Sequence, residues 1–334
     1  MKRKLIDEIK TIKERSEFNS RYSIFFKFAS LEYVLDEYIK SKEKNKIIPE
    51  EFLRYIIISS IACFETTFRL IVKDLVDHGK PFSDNVINYN QSKNTKFDFE
   101  IISAIQSKMV TAGEFVSHIL SFNNYDDIDS HISTLLGSSF TEALKGFKKK
   151  SIYELTNKNT DYFISNFSDI IISVKRTFEL RHIFCHEYAT DVEIDVVEIQ
   201  KCFIHSKVFL EQVNGFIHNQ LFPNVPEAQS EMNKFAINEF TKIDSELNDL
   251  ITQIKSISKK SDHITLFFND DLFDESIEHW KKYREFRAKN HANLVKGGTM
   301  YPTLYYPSLS HTTKEKIESL KREYYYPLKK QRFD

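Results

Sequence analysis

Between Glu179 and Tyr188 the chain reads Glu-Leu-Arg-His-Ile-Phe-Cys-His-Glu-Tyr, which sets Arg181, His182, Cys185 and His186 close together. An imidazole titrates near neutrality, so His186 can take the proton of a ribose 2′-hydroxyl or protonate a leaving 5′-oxygen. A guanidinium fork such as Arg181 can hold a phosphodiester and the charge that grows on it. The pairing suits RNA cleavage without a metal ion. On one regular helix, the step from Arg181 to His186 turns about 500°, which leaves the two side chains about 140° apart. They are therefore expected to diverge. They can act on one phosphate only if a helix starts here, or if a second copy supplies the partner group across a two-fold interface. His182 and His186 form an i,i+4 pair of the kind that can ligate a metal, but no HExxH-type carboxylate accompanies them, and no metal is expected. Cys185 is expected as a small core hydrophobe. The plain alternative is that Arg181 and the histidines carry no chemistry.

Composition says which elements must hold this segment. Gly (7) and Pro (7) are scarce in 334 residues, about 4% against roughly 12% in average usage. Long helices with few tight turns follow, and sandwiches, barrels and doubly wound sheets do not. Gly297-Gly298 is the sole glycine pair, and no GxGxxG or GxxxxGK[ST] string occurs, so a Rossmann dehydrogenase or P-loop NTPase is excluded. Lys plus Arg (47) balances Asp plus Glu (48). Any nucleic-acid contact must then use a local patch rather than a broad basic surface. Cys63, Cys185 and Cys202 include no CxxC pair, which favours a reducing compartment. The basic start Met1–Leu5 is not followed by an apolar stretch, and the best apolar run, Tyr55 to Phe64, is ten residues long. Neither a secretory signal nor a bilayer span is expected, so the expected setting is cytoplasmic, with no membrane partner.

Along the chain, residues 1–45 read as one or two amphipathic helices. The strongest helix runs from Pro49 to Gly79, with Leu53, Ile57, Ile61, Phe64, Phe68, Ile71 and Leu75 recurring at three- and four-residue steps. A polar loop is expected over 80–98, helix from Phe99 to about Leu120, a loop over 122–129, and a helical pair over 161–180 and 193–220. Pro223 and Pro226 cannot sit inside a helix, which puts a boundary between domains at 1–222 and 228–334. The second domain reads as helices over 228–258 and 271–292, an aromatic stretch with Tyr301, Tyr305 and Tyr306 expected in the core, and a last helix from about Thr312.

Arg181, His182 and His186 give the string R-H-x3-H in an all-helical chain, and Glu187-Tyr188 extends it to R-x4-H-x-Y. In this the N-terminal domain resembles the HEPN superfamily. The resemblance implies a metal-independent endoribonuclease that acts as a homodimer in toxin–antitoxin or antiphage systems and needs no cofactor. Arg181 and His186 would be the catalytic pair, and His182 would orient. Glu65, in the middle of the early apolar helix, would be an acidic residue that orients the histidine. Its plain reading is an exposed Glu. The resemblance also implies that Tyr188 is a control point, adenylylated by a nucleotidyltransferase antitoxin. Lys148, Lys149, Lys150, Lys175 and Arg176 are the nearest basic candidates for RNA. The rival from another class is a non-catalytic binding or scaffold protein of such a system.

The C-terminal part carries a second resemblance. Met232-Asn233 with Ala236, Asp244 with Leu247-Asn248, Trp280-x-x-Tyr283-Arg284-Glu285, Gly297-Gly298-Thr299-Met300 and Thr313 with Lys316 recur in the order found in lysozyme-inhibitor LprI-type domains. Those domains are usually exported and carry cysteines where this chain has Phe235, Ala288 and Ser308. Disulfides are impossible at those places, so lysozyme inhibition is not expected. A cytoplasmic sensing or restraining module is.

Overall fold

A computed structural model describes residues 2–15, 21–44, 49–89, 99–148, 151, 154–187, 195–258 and 268–324. Among these the chain is all-α, with helices, turns and no strand. It divides into two compact units, Met1–Pro223 and Asn224–Asp334. The first contains α1 (Lys2–Arg15), α2 (Ile24–Glu43), α3 (Glu51–His78), α4 (Phe82–Asn85), α5 (Phe99–Gln106), α6 (Ala112–Ile119), α7 (Tyr125–Leu136), α8 (Phe140–Lys145), α9 (Glu154–Ser165), α10 (Phe167–His186) and α11 (Val196–Leu221). The second contains α12 (Gln229–Ser258), α13 (Asp270–His291) and α14 (Tyr301–Glu323).

Helix α3 is the axis of the first unit, and α2, α6, α10 and α11 all pack on it. Its apolar stripe is fully covered, from Leu53 through Phe64 and Phe68 to Leu75. Phe64 makes an edge contact with Phe178 of α10 at 5.5 Å and stacks on Phe209 of α11 at 5.8 Å. Each such ring removed from water is worth about 1.5–3 kcal/mol, so this cluster fixes where α10 lies. By length and composition α3 could also cross a membrane; here its apolar residues form the core of the unit. Gly79 ends the helix at φ +97°, a conformation that an L side chain adopts at a cost.

Several boundaries differ from the sequence expectation, each for a local reason. The stretch read as a loop over 80–98 contains α4, set by Pro81 and the buried Phe82; residues 90–98 lie outside the described set. The loop read over 122–129 gives way to α7 at Asn124, whose side chain accepts from the Asp127 amide. The helix read over 161–180 is two helices, α9 and α10, that meet at Asn166, and the second continues to His186. Helix α14 starts at Tyr301 rather than Thr312. Pro302 sits in its first turn, where no amide hydrogen is needed, and Pro307 is tolerated one turn further in. The tyrosines there are half-buried, and Tyr301 stacks on Tyr305 at 5.3 Å.

Helix α6 docks on α3 through Gly113. A side chain there would run into the Lys73 carbonyl oxygen. The Asp77 carboxylate accepts from the Gly113 amide at 2.8 Å and from Thr111 Oγ1 at 2.7 Å, while Thr111 and Glu114 form a capping box. This close approach, with α1 laid beside α6, opens a cleft of about 600 Å³ along α3.

Two histidines are buried in the first unit. Ser173 Oγ donates to the Asp169 carbonyl, so His205 Nδ1 donates to Ser173 at 2.8 Å and its Nε2 accepts from Tyr162 at 3.2 Å. His131 Nε2 donates to the Ser121 carbonyl at 3.0 Å. Burial penalises both imidazolium forms and lowers both pKa values, against the opposing pull of Asp169 on His205 and of Asp127 on His131. The unfolded chain takes up protons on these histidines near pH 6.5 and the folded chain does not. Stability is therefore expected to fall as the pH drops from 7.5 to 6, by at most about 1.4 kcal/mol per pH unit for each histidine. The half-buried carboxyls Asp74 and Glu211, whose pKa values are raised by desolvation, act in the opposite direction, in the more acidic carboxylate range. A urea midpoint that stays flat between pH 7.5 and 6 would contradict this.

Candidate functional site

Helix α10 is held by Ile170, Val174, Phe178 and Leu180, and no residue after Leu180 is buried. Its last turn lies at the rim of the core, where Phe184 still packs against it, and ends at His186, after which Glu187 is extended. At this free end Arg181 and His186 do not diverge. Arg181 Nη1 lies 3.4 Å from His186 Nε2. The 140° separation expected from helix geometry concerns where side chains leave the axis. A guanidinium on a long stem folds along the axis and meets the imidazole. The contact needs no helix start and no second copy of the chain. The His182 and His186 rings are 5.2 Å apart, so one chain presents an arginine and two imidazoles together. Cys185 is exposed rather than part of the core, while its neighbour Phe184 packs against that core.

Glu65 reaches this group from α3. Its Oε1 lies 3.7 Å from Arg181 Nη2, and about a third of each side chain is exposed. It pairs with the arginine, and no hydrogen bond links it to either histidine. Arg54 from the start of α3 lies over the Phe184 ring at 5.3 Å, which ties the last turn of α10 to the same helix. The arrangement can do two things. Arg181 Nη1, when donating to His186 Nε2, requires the neutral ring that a general base needs, and the fork can release this contact to hold a phosphate. Glu65 holds the fork at the rim and keeps the arginine from swinging into solvent.

The basic candidates fare differently. Lys148 pairs with Asp161, Lys175 with Asp126 at 2.9 Å, and Arg176 with Glu198 at 2.8 Å and Glu179 at 3.2 Å. Lys149, Lys150 and Tyr188 lie outside the described residues. The sequence reading passed over Arg69, one turn beyond Glu65 on α3. Arg69 lines the cleft together with Glu65 and Lys73. The i,i+4 spacing from Glu65 was the available signal. Among the described residues no group of three or more His, Cys, Asp or Glu gathers as a metal set.

In the second unit three residues of the sequence pattern, Asp244, Trp280 and Thr313, converge on a fourth, Arg284. Arg284, 6% exposed, donates to Asp244 at 2.6 Å and to Thr313 Oγ1 at 2.9 Å. Its guanidinium lies 5.1 Å from the Phe240 ring and 5.1 Å from the Trp280 ring. Asn233 donates to the Thr299 carbonyl beside the glycine turn. Lys281 donates to Asn248. Residues of α12, α13 and α14 thus meet at a buried cation, beside a core of Leu247, Leu250, Ile254, Ile277, Ile317 and Leu320. Ala288, one of the three positions with no cysteine, is fully buried. No curated protein and no solved structure matches the chain. Residues 224–320 match the family described as Lysozyme inhibitor LprI, and the C-terminal unit therefore carries an LprI-like domain.

Proposed function

We propose that the N-terminal unit is a HEPN-type, metal-independent endoribonuclease of a toxin or antiphage system, and that the LprI-like unit senses or restrains it. The observation that carries this reading is the 3.4 Å approach of Arg181 to His186 at the exposed end of α10, backed by Glu65. In the reaction His186 takes the proton from the 2′-hydroxyl of RNA, whose oxygen attacks the adjacent phosphorus. The bond from phosphorus to the 5′-oxygen breaks, and that oxygen leaves with a proton from the second imidazole, His182 or a His186 of a second copy. Arg181 holds the non-bridging oxygens, where negative charge builds. A homodimer and an antitoxin partner remain part of the proposal through the resemblance, but the geometry of one chain no longer demands a composite site.

Full-length protein incubated with total RNA in excess EDTA is expected to cut it and to leave 2′,3′-cyclic phosphate and 5′-hydroxyl ends. DNA, which has no 2′-hydroxyl, is expected to stay intact. Cleavage that appears only with added magnesium, or that leaves 5′-phosphate ends, would refute the mechanism. The scaffold reading draws on a specific fact: Lys148, Lys175 and Arg176, the described basic candidates, are all neutralised within the chain. Surface pairs of this kind are worth about 0–1 kcal/mol, so RNA phosphates can compete for them.

A further inference from the structure

The cleft along α3 is charged in an uneven way. Glu65 at its near end is paired with Arg181. Lys13 is paired with Glu114 at 3.0 Å, and Lys73 with Asp77 at 3.5 Å. Arg69, half-buried between Glu65 and Lys73, has no ion-pair or hydrogen-bond partner among the described residues. A guanidinium partly shielded from water attracts an anion with more than surface strength. Ile9 and Leu70 offer apolar wall beside it. The volume, about 600 Å³, lies within the range of about 300–1,000 Å³ that small-ligand sites occupy. An anion, an apolar plane and this size together describe a nucleoside phosphate.

Position selects the source. Glu65 and Arg69 are one helical turn apart, about 5–6 Å between their Cβ atoms, and Glu65 touches Arg181. A phosphate on Arg69 is therefore next in line to one held by Arg181. We infer that this cleft binds the nucleotide adjoining the scissile phosphate of a single-stranded RNA, with its phosphate on Arg69 and its base against Ile9 and Leu70. The identification of the strand rests on the nuclease reading; the anion site itself does not.

The test uses the full chain and a 2′-O-methylated single-stranded oligonucleotide, which binds but has no nucleophile to be cut. Arg69→Gln is expected to weaken binding about tenfold or more, as loss of a charged hydrogen bond does, and to lower the salt slope by about one. Arg69→Lys should restore part of the loss. Thr66→Glu, at an exposed position of the same cleft, should weaken binding similarly and guards against a folding defect in the Arg69 variants. Unchanged affinity and salt slope in Arg69→Gln and Thr66→Glu would overturn the inference. So would Arg69-dependent binding of adenosine 5′-monophosphate without any effect on the oligonucleotide, which would mark a site for a free nucleotide. The two readings fail separately. Arg69-dependent oligonucleotide binding by a protein that cuts no RNA sinks the nuclease and keeps the cleft; RNA cleavage with Arg69-independent binding does the reverse.

Discussion

His186→Ala is expected to lower RNA cleavage by about 10²–10⁴-fold, the usual cost of removing a positioned acid–base group. The fold should be unaffected, because His186 is exposed at the end of α10 and the helix is anchored by Ile170, Val174, Phe178 and Leu180. Arg181→Ala should cost about 10²–10³-fold, as loss of a donor to developing charge does. Arg181→Lys should restore little of this, since a point charge cannot reproduce the planar fork. His182→Ala is expected to cost less than His186→Ala, because only His186 is within reach of the Arg181 guanidinium. In the proposed reaction Glu65, which pairs with Arg181, would be a positioning residue. Glu65→Gln keeps a hydrogen-bond acceptor but removes the charge, so it should shift the pH profile of kcat and leave the fold as it was. Rates are compared in the same full-length protein, with circular dichroism as the check on folding. If every variant cuts RNA at the wild-type rate, the cleavage does not belong to this site, and the Arg181 cluster is structural.

The legible part of this molecule was the part that depends on periodicity. The stripe from Leu53 to Leu75 recurs at helical steps and is the buried face of α3. Scarce glycine and proline gave an all-helical chain. The illegible part depends on where neighbouring elements stop. The Arg181–His186 contact lies at the rim of the core, beyond the last fully buried residue of α10, Leu180, and that rim is set largely by α3, which is distant in sequence. Angular arithmetic on Cα positions also says nothing of the reach of an arginine stem. Cys185 is exposed at the same rim, which its local sequence does not show. Arg69 was passed over because lacking a partner is a property of three dimensions; in sequence it is one more cation on a helix. Helix α14 begins at Tyr301 rather than near Thr312 because Pro302 suits a first turn and the helix continues through the interior Pro307, which packing rather than local sequence decides. Glu65 pairs with the arginine and not with a histidine, a choice of partner that depends on where α3 and α10 meet.

In the LprI-like unit, Arg284→Ala is expected to cost about 3 kcal/mol of stability. The arginine is buried, and its loss would leave the Asp244 carboxylate without its cation and would unstack the space between Phe240 and Trp280. A buried pair broken on one side costs about 3–5 kcal/mol; Asp244, whose side chain is 28% exposed, keeps some water, which puts the expected loss at the lower end. Arg284→Lys should not rescue, since an ammonium cannot stack on two rings and donate in a plane. Arg284→Met with Asp244→Leu should recover much of the loss, because an apolar replacement of both partners leaves no orphaned charge. The measurement is unusually clean. Trp280 is the one tryptophan in the chain and lies 5.1 Å from the Arg284 guanidinium, so its fluorescence in a urea titration of the full protein reports on this unit. This chain has no cysteine in the unit, so no disulfide can take over the restraint. If the Trp280 transition of Arg284→Ala coincides with the wild type, the three helices are held by the leucine and isoleucine core alone, and the residues that carry the LprI pattern are kept for a reason other than stability.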